Sequence, residues 1–178
     1  VKGALVNVVN LKLYILTKDK DGKLSEPVSF PYNSDDYSLG HATVTKDGSR
    51  MYFVSDMPGG LGQTDLYLSE NVNGQWQKPE NLGQAINTEG REMFPYVHED
   101  GTLFFSTDGR AGLGGLDLYF TVPAMDAYFE PQSLGYPMNS NYDDFGFALN
   151  EDLKTGYFSS NRAGGKGKDD IYFFRAKE

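Results

Sequence analysis

Apolar and polar residues alternate along the chain in short runs, and each run ends in glycine, asparagine, aspartate or proline. Short bounded runs such as Met51-Tyr52-Phe53-Val54 read as strands of small sheets with two apolar faces, and no stretch carries a helical period. The pattern predicts strands over residues 11–17, 24–30, 41–45, 50–54, 65–69 and 75–79. It predicts more over 94–98, 102–106, 117–121, near 128–131, and over 146–149, 154–159 and 170–174. Asp21-Gly22, Asp47-Gly48, Asn73-Gly74 and Asp100-Gly101 supply the turns. Pro27, Pro79 and Pro131 each fall on an outer strand, where a missing N–H costs least.

These strands recur in a fixed order. The stretch from Ser55 to Tyr67 is a glycine-rich turn between two strands, closed by an aspartate. It returns from Ser106 to Tyr119 and from Ser159 to Tyr172, and a decayed copy ends at Tyr14. The closing tyrosines are spaced 53, 52 and 53 residues apart, which marks a repeat architecture. The motif is carried first by Ser55, Asp56, Gly59, Gly60, Asp65 and Tyr67. Ser106, Asp108, Gly114, Gly115, Asp117 and Tyr119 carry it next, then Ser159, Asn161, Gly164, Gly165, Asp170 and Tyr172. Asn33-Ser34, Asn87-Thr88 and Asn139-Ser140 occupy matching places between repeats.

Four antiparallel strands per unit, repeated, predict an all-β protein built as a β-propeller of four-stranded antiparallel blades. The expected units are a partial blade over 1–36, blades over 37–86 and 87–139, and a blade over 140–178 that lacks its outer strand. The count is incomplete, and the chain opens Val1-Lys2-Gly3 without a methionine. Strands before Val1 and after Glu178 are therefore expected, and each open end is expected to expose a sheet face without a neighbour.

Composition sharpens the reading. Among 178 residues there are 21 glycines, 12 tyrosines and 12 phenylalanines, as suits aromatic strands joined by tight turns. A net charge of −9 excludes a nucleic-acid binder, which needs a basic face, and adhesion to anionic lipid. The absence of cysteine excludes disulfides and thiolate chemistry. No apolar run is long enough to insert in a membrane as a helix.

The phrases VSDMPGGLGQTDLY, NLGQAINTEGREMFPYVHEDGTLFFSTDGRAGLGGLDLY and YDDFGFALNEDLKTGYFSSNRAGGKGKDDIY resemble the TolB-type, WD40-like propeller repeat. More narrowly, residues 38–174 are similar to the propeller of Bacteroidetes OmpA-family proteins. That resemblance implies a periplasmic protein associated with the outer membrane, in a family with a type IX secretion component. It implies other envelope proteins as partners. Peptidoglycan binding belongs to a domain of that family that these residues do not contain.

Several side chains invite chemistry. Asp56, Asp65, Asp108, Asp117, Asp169 and Asp170 are calcium candidates, because hard cations want several oxygens. The competing reading has Asp56, Asp65, Asp108, Asp117, Asn161 and Asp170 accepting backbone N–H groups to fix the turns. Ser55, Ser106 and Ser159 read as turn caps rather than nucleophiles. A nucleotide site is excluded by strands flanking the glycines and by the absence of Gly-Lys-Ser/Thr. His41 and His98 lack the further ligands of a zinc site. The pairs Asp35-Asp36 and Asp143-Asp144 point to opposite faces if extended, so neither alone spans a sugar. Trp76 is expected to pack against the following blade, or to anchor a partner. Lys166 and Lys168 make one turn locally basic. The function expected is a non-catalytic protein-binding scaffold with no cofactor; the alternative is a carbohydrate- or calcium-binding propeller.

Overall fold

The computed structural model describes residues 9–125, 127–151 and 153–176. The turn expected at the very front lies mostly outside these residues. The described chain is all β, with sixteen short strands and no helix.

An N-terminal ribbon pairs β1 (Tyr14–Ile15) with β2 (Val28–Ser29). Sheet A follows: β3 (Leu39–Val44), β4 (Arg50–Ser55) and β5 (Asp65–Val72) in antiparallel order. Two short segments, β6 (Gln75–Trp76) and β7 (Glu80–Asn81), line its outer edge on β5. Sheet B comprises β8 (Glu92–Val97), β9 (Leu103–Thr107) and β10 (Asp117–Thr121). A small ribbon, β11 (Pro123–Ala124) with β12 (Ala127–Tyr128), precedes β13 (Gln132–Ser133), which pairs with β10. Sheet C consists of β14 (Asp144–Leu149), β15 (Thr155–Ser160) and β16 (Asp170–Arg175).

The inner strands of sheets A, B and C sit where the pattern predicted them, within two residues, except that β5 runs three residues further, to Val72; the strands expected over 11–17 and 24–30 are reduced to β1 and β2, two residues each. The outer strands differ. The strand expected over 75–79 is split into β6 and β7, with Lys78 and Pro79 between them. The strand expected near 128–131 is likewise replaced by β12 and β13, on either side of Pro131. Proline cannot donate to the ladder, so the outer edge breaks there. A hydroxyl on the third strand bridges each break: Ser69 Oγ donates to the Gln77 carbonyl at 2.6 Å, and Thr121 Oγ1 to the Phe129 carbonyl at 2.6 Å.

The core lies between sheets rather than within them. Phe30, Leu39, Met51, Phe53 and Tyr67 fill the space between the ribbon and sheet A. Tyr52, Val54, Leu66, Ile86, Leu103, Phe105 and Tyr119 join sheet A to sheet B. Phe104, Leu118, Phe147 and Phe158 join sheet B to sheet C. The rings of Phe104 and Phe147 stack at 4.5 Å. Each of these stacked pairs adds about 0.5–1.5 kcal/mol to the burial itself. Trp76 packs backwards, edge-on to Phe30 at 6.4 Å, rather than against the following sheet.

Candidate functional site

The turns between second and third strands share one construction. Ser55, Thr107 and Ser160 pair across the ladder with Asp65, Asp117 and Asp170. Each hydroxyl accepts the N–H two residues on, from Met57, Gly109 and Arg162. The capping positions in the last two repeats are thus Thr107 and Ser160, one residue after the expected Ser106 and Ser159. Ser106 is buried with an Oγ that has no partner.

The closing aspartates fold back over the glycines. Asp65 accepts the Leu61 N–H at 2.6 Å and the Gly62 N–H at 3.0 Å. Asp117 accepts those of Leu113 and Gly114 at 3.0 Å each, and Asp170 those of Lys166 and Gly167 at 2.9 and 3.0 Å. The glycine facing each carboxylate is Gly60, Gly112 or Gly165, where a Cβ would strike an aspartate oxygen. Gly112, not the Gly114-Gly115 pair, is therefore the counterpart of Gly60. Gly114 serves another close approach: a Cβ there would meet the carbonyls of Ser140 and Tyr142 in the following linker.

The second set of acids ties each turn to the first strand of its sheet. Asp56 accepts the Ser38 N–H at 2.7 Å, Asp108 the Arg91 N–H at 2.7 Å, and Asn161 the Asp143 N–H at 2.8 Å. Asp169 is exposed. Among the described residues no three His, Asp or Glu side chains gather in a metal-sized group. Of the calcium candidates, Asp56, Asp65, Asp108, Asp117 and Asp170 accept backbone N–H groups of the turns and linkers.

Linker residues complete the frame. Asn33, Asn87 and Asn139 each bond both backbone groups of one leucine: Leu13, just before β1, Leu66 in β5 and Leu118 in β10. Two arginines reach back into the preceding linker. Arg110 Nη2 donates to the carbonyls of Ala85 and Ile86, and Arg162 to those of Pro137 and Met138. The Arg162 guanidinium also lies 4.8 Å over the Phe158 ring and 2.5 Å from the buried Asp144 carboxylate. Asp143, by contrast, accepts the Leu116 N–H at 2.9 Å and an Asn161 amide proton at 3.0 Å.

Glu92 occupies the ladder position that Asp144 holds in sheet C, and it is fully buried. Its partners are the Thr88 N–H, the Thr88 hydroxyl and the Thr107 hydroxyl. Burial pushes its carboxyl above the ordinary glutamate value, against the pull of those hydrogen bonds. Burial likewise raises Asp117, whose Oδ1 has no partner. In sheet A the neighbouring Asn81 Nδ2 donates to Asp65 at 2.7 Å, and Ser133 stands in that place in sheet B.

The first strands carry a feature that alternation does not announce. Each has a bulge, and His41, Phe94 and Gly146 there adopt left-handed φ values of 50°, 52° and 63°. His41 stacks on Phe94 at 4.1 Å, and Phe94 on Phe145 at 4.9 Å. The rings form a ladder across all three sheets, with His41 exposed at its end. Partial burial lowers the His41 pKa. His98 is elsewhere, its Nδ1 lying 3.0 Å from Asp100 Oδ1 at a hairpin.

The all-β fold is similar to that of a solved TolB structure. A solved structure assigned as TolB, from Agrobacterium tumefaciens, superposes with a TM-score of 0.55 at 17% identity, over 85% of this chain and 51% of that one. The chain therefore spans about half the length of that relative. An α-L-arabinofuranosidase from Lactobacillus brevis superposes with a TM-score of 0.46 at 16% identity, over 89% of this chain and 57% of that one. That likeness is too shallow to carry a functional argument. No family model and no curated protein sequence matches the chain. Among the described residues no helix is long and apolar enough to cross a membrane.

Proposed function

We propose that the chain is part of a β-propeller that binds other proteins and performs no chemistry of its own. One observation carries this reading. The acids repeated at the turns are committed to backbone amides, while the residue four before each closing aspartate points outward. Those residues are Leu61, Leu113 and Lys166, all exposed. A constant frame that displays a different side chain at each turn is the arrangement of recognition loops. The likeness to TolB supports the fold on which the reading stands.

The proposed partners, taken from the resemblance of the repeat phrases, are periplasmic and outer-membrane proteins of a Bacteroidetes type IX secretion system. The test is a pull-down from crosslinked native envelope, with the full protein and with residues 38–174 deleted. Secretion subunits recovered only with the intact protein support the proposal, and Leu61→Asp with Leu113→Asp should reduce that recovery. The same subunits recovered from both preparations refute it.

A second reading is a carbohydrate-binding module, favoured by the exposed end of the His41–Phe94–Phe145 ladder, since sugars stack on ring faces. Binding of an oligosaccharide that is lost in Phe94→Ala would favour it.

A further inference from the structure

Sheets A and B share one plan, yet their outer edges differ in chemistry. Counting from the closing aspartates Asp65 and Asp117 sets Glu70, Asn73 and Gln77 of sheet A against Val122, Met125 and Phe129 of sheet B. The hydroxyl bridges from Ser69 to Gln77 and from Thr121 to Phe129 fix that correspondence. All six residues are exposed, Val122 at 40% and Phe129 at 61%. The Phe129 N–H donates to the Val122 carbonyl at 3.1 Å, so their side chains stand together on one face of the edge. Tyr128, on the other face, packs against the core between sheets A and B. With Phe120, Thr121, Glu130 and Gln132, the pair lines a groove of about 360 Å³.

The groove is not a gap at a joint between sheets. Sheet A is followed by a sheet with all four strands, and its own edge still leaves Glu70 and Gln77 exposed. Leu68 and Phe120, one step further in, are half-buried alike. A neighbouring sheet therefore stops short of this position. Edge strands are ordinarily guarded by charge. Glu70, Lys78 and Glu80 guard sheet A. Sheet B has apolar side chains there instead, a surface of the kind that marks an interaction site. Glu130 is the one charged residue among the described residues that line the groove. Arg110 Nη1 holds its Oε1 at 2.7 Å, but the glutamate side chain is 77% exposed.

We propose that this groove seats an extended segment of a partner protein in which a bulky apolar residue adjoins lysine or arginine. The apolar side chain lies between Val122 and Phe129 over Phe120, and the base pairs with the exposed side of Glu130. The net charge of −9 favours the approach of such a segment. The proposal rests on the protein-binding reading and adds a contact at the outer edge of sheet B, apart from the side chains displayed at the glycine turns.

Selection of random peptides displayed on phage against the full protein tests this. Enriched peptides should share an aromatic or aliphatic residue beside lysine or arginine. Val122→Glu with Phe129→Gln installs the residues that sheet A carries at those places, so thermal unfolding should be unchanged. That double variant should weaken binding of the synthetic peptides by about tenfold or more, the loss expected when an aromatic anchor is removed. Glu130→Lys, which copies Lys78 of sheet A, should turn the preference from basic to acidic peptides. Failure to enrich any peptide overturns the proposal, and so does enrichment of peptides that lack a base. Peptides that bind the double variant as tightly as wild type, and are lost with Leu61→Asp and Leu113→Asp, overturn it while the protein-binding reading stands. A second copy in the groove would double the mass in light scattering, and the double variant would abolish the doubling; that result also overturns it.

Discussion

Asn87 satisfies both backbone polar groups of Leu66: its Oδ1 accepts the Leu66 N–H at 2.8 Å, and its Nδ2 donates to the Leu66 carbonyl at 3.0 Å. The linker therefore acts as a strand would, pairing the Leu66 N–H and sharing the Leu66 carbonyl with the Leu82 N–H at 3.1 Å. Both residues are fully or nearly fully buried, so water cannot replace these bonds.

Asn87→Ala should cost about 1–3 kcal/mol in urea unfolding, because it orphans the buried Leu66 N–H, while the Leu66 carbonyl keeps the Leu82 N–H at 3.1 Å. Asn139→Ala should cost a similar amount through Leu118. Losses within error of zero at both sites would show that the linkers do not hold the sheets.

Asp65→Ala should lower stability by about 1–3 kcal/mol, since it removes charge-assisted bonds to two turn amides. Millimolar calcium should leave the wild-type melting temperature unchanged. A rise that disappears in Asp65→Ala would restore the calcium reading of the turns.

Glu92 makes stability pH-dependent in a particular direction. Its folded carboxyl titrates above the unfolded value of 4.5. The contribution to stability is full below that value and is lost as pH rises through the folded one. Stability measured at pH 4.5 and at pH 7.5 should therefore differ less in Glu92→Gln than in wild type, once shared titrations are subtracted. An unchanged difference would mean that Glu92 ionises as freely in the fold as outside it.

Arg162 neutralises Asp144, which is fully buried. Arg162→Met should destabilise by about 3–5 kcal/mol, because it leaves an unpaired buried charge. Adding Asp144→Asn should recover much of that loss. If the double variant is no better than the single one, the arginine contributes through its stacking on Phe158 and its bonds to Pro137 and Met138.

Inner strands were legible because Arg50–Ser55 and Asp65–Leu68 are buried on both faces, between the ribbon and sheet B, and such burial writes short apolar runs bounded by turn residues into the chain. The turn frame was half legible. Matching serine to serine placed the caps at Ser106 and Ser159, but the turn needs a hydroxyl, not serine in particular, and Thr107 supplies it. Counting back from the closing aspartate along the ladder would have found it. The roles of Arg110 and Arg162 were hidden, because each depends on carbonyls some two dozen residues earlier that only packing brings close. The His41–Phe94–Phe145 ladder was equally hidden, since left-handed backbone at His41 and Phe94 contradicts local preference and exists only where the surrounding sheet imposes it.

Ties from each glycine turn to the following sheet lie at one end of the molecule. There Thr64 Oγ1 donates to the Glu92 carbonyl at 3.2 Å, Asp143 accepts the Leu116 N–H at 2.9 Å, and the Gln63 N–H bonds the Gly90 carbonyl at 2.8 Å. At the other end, the hairpins at residues 45–50 and 98–102 close largely on themselves, with Thr45, Asp47 and Asp100 bonding within their own loops. Lys46 and Glu99 join them across an exposed gap, where solvent screens the pair. The protein therefore has a sutured rim and a permissive one. Foreign sequence grafted between Asp47 and Gly48 should be carried without disturbing the stack, whereas the same graft between Gly62 and Gln63 would unpick the seam.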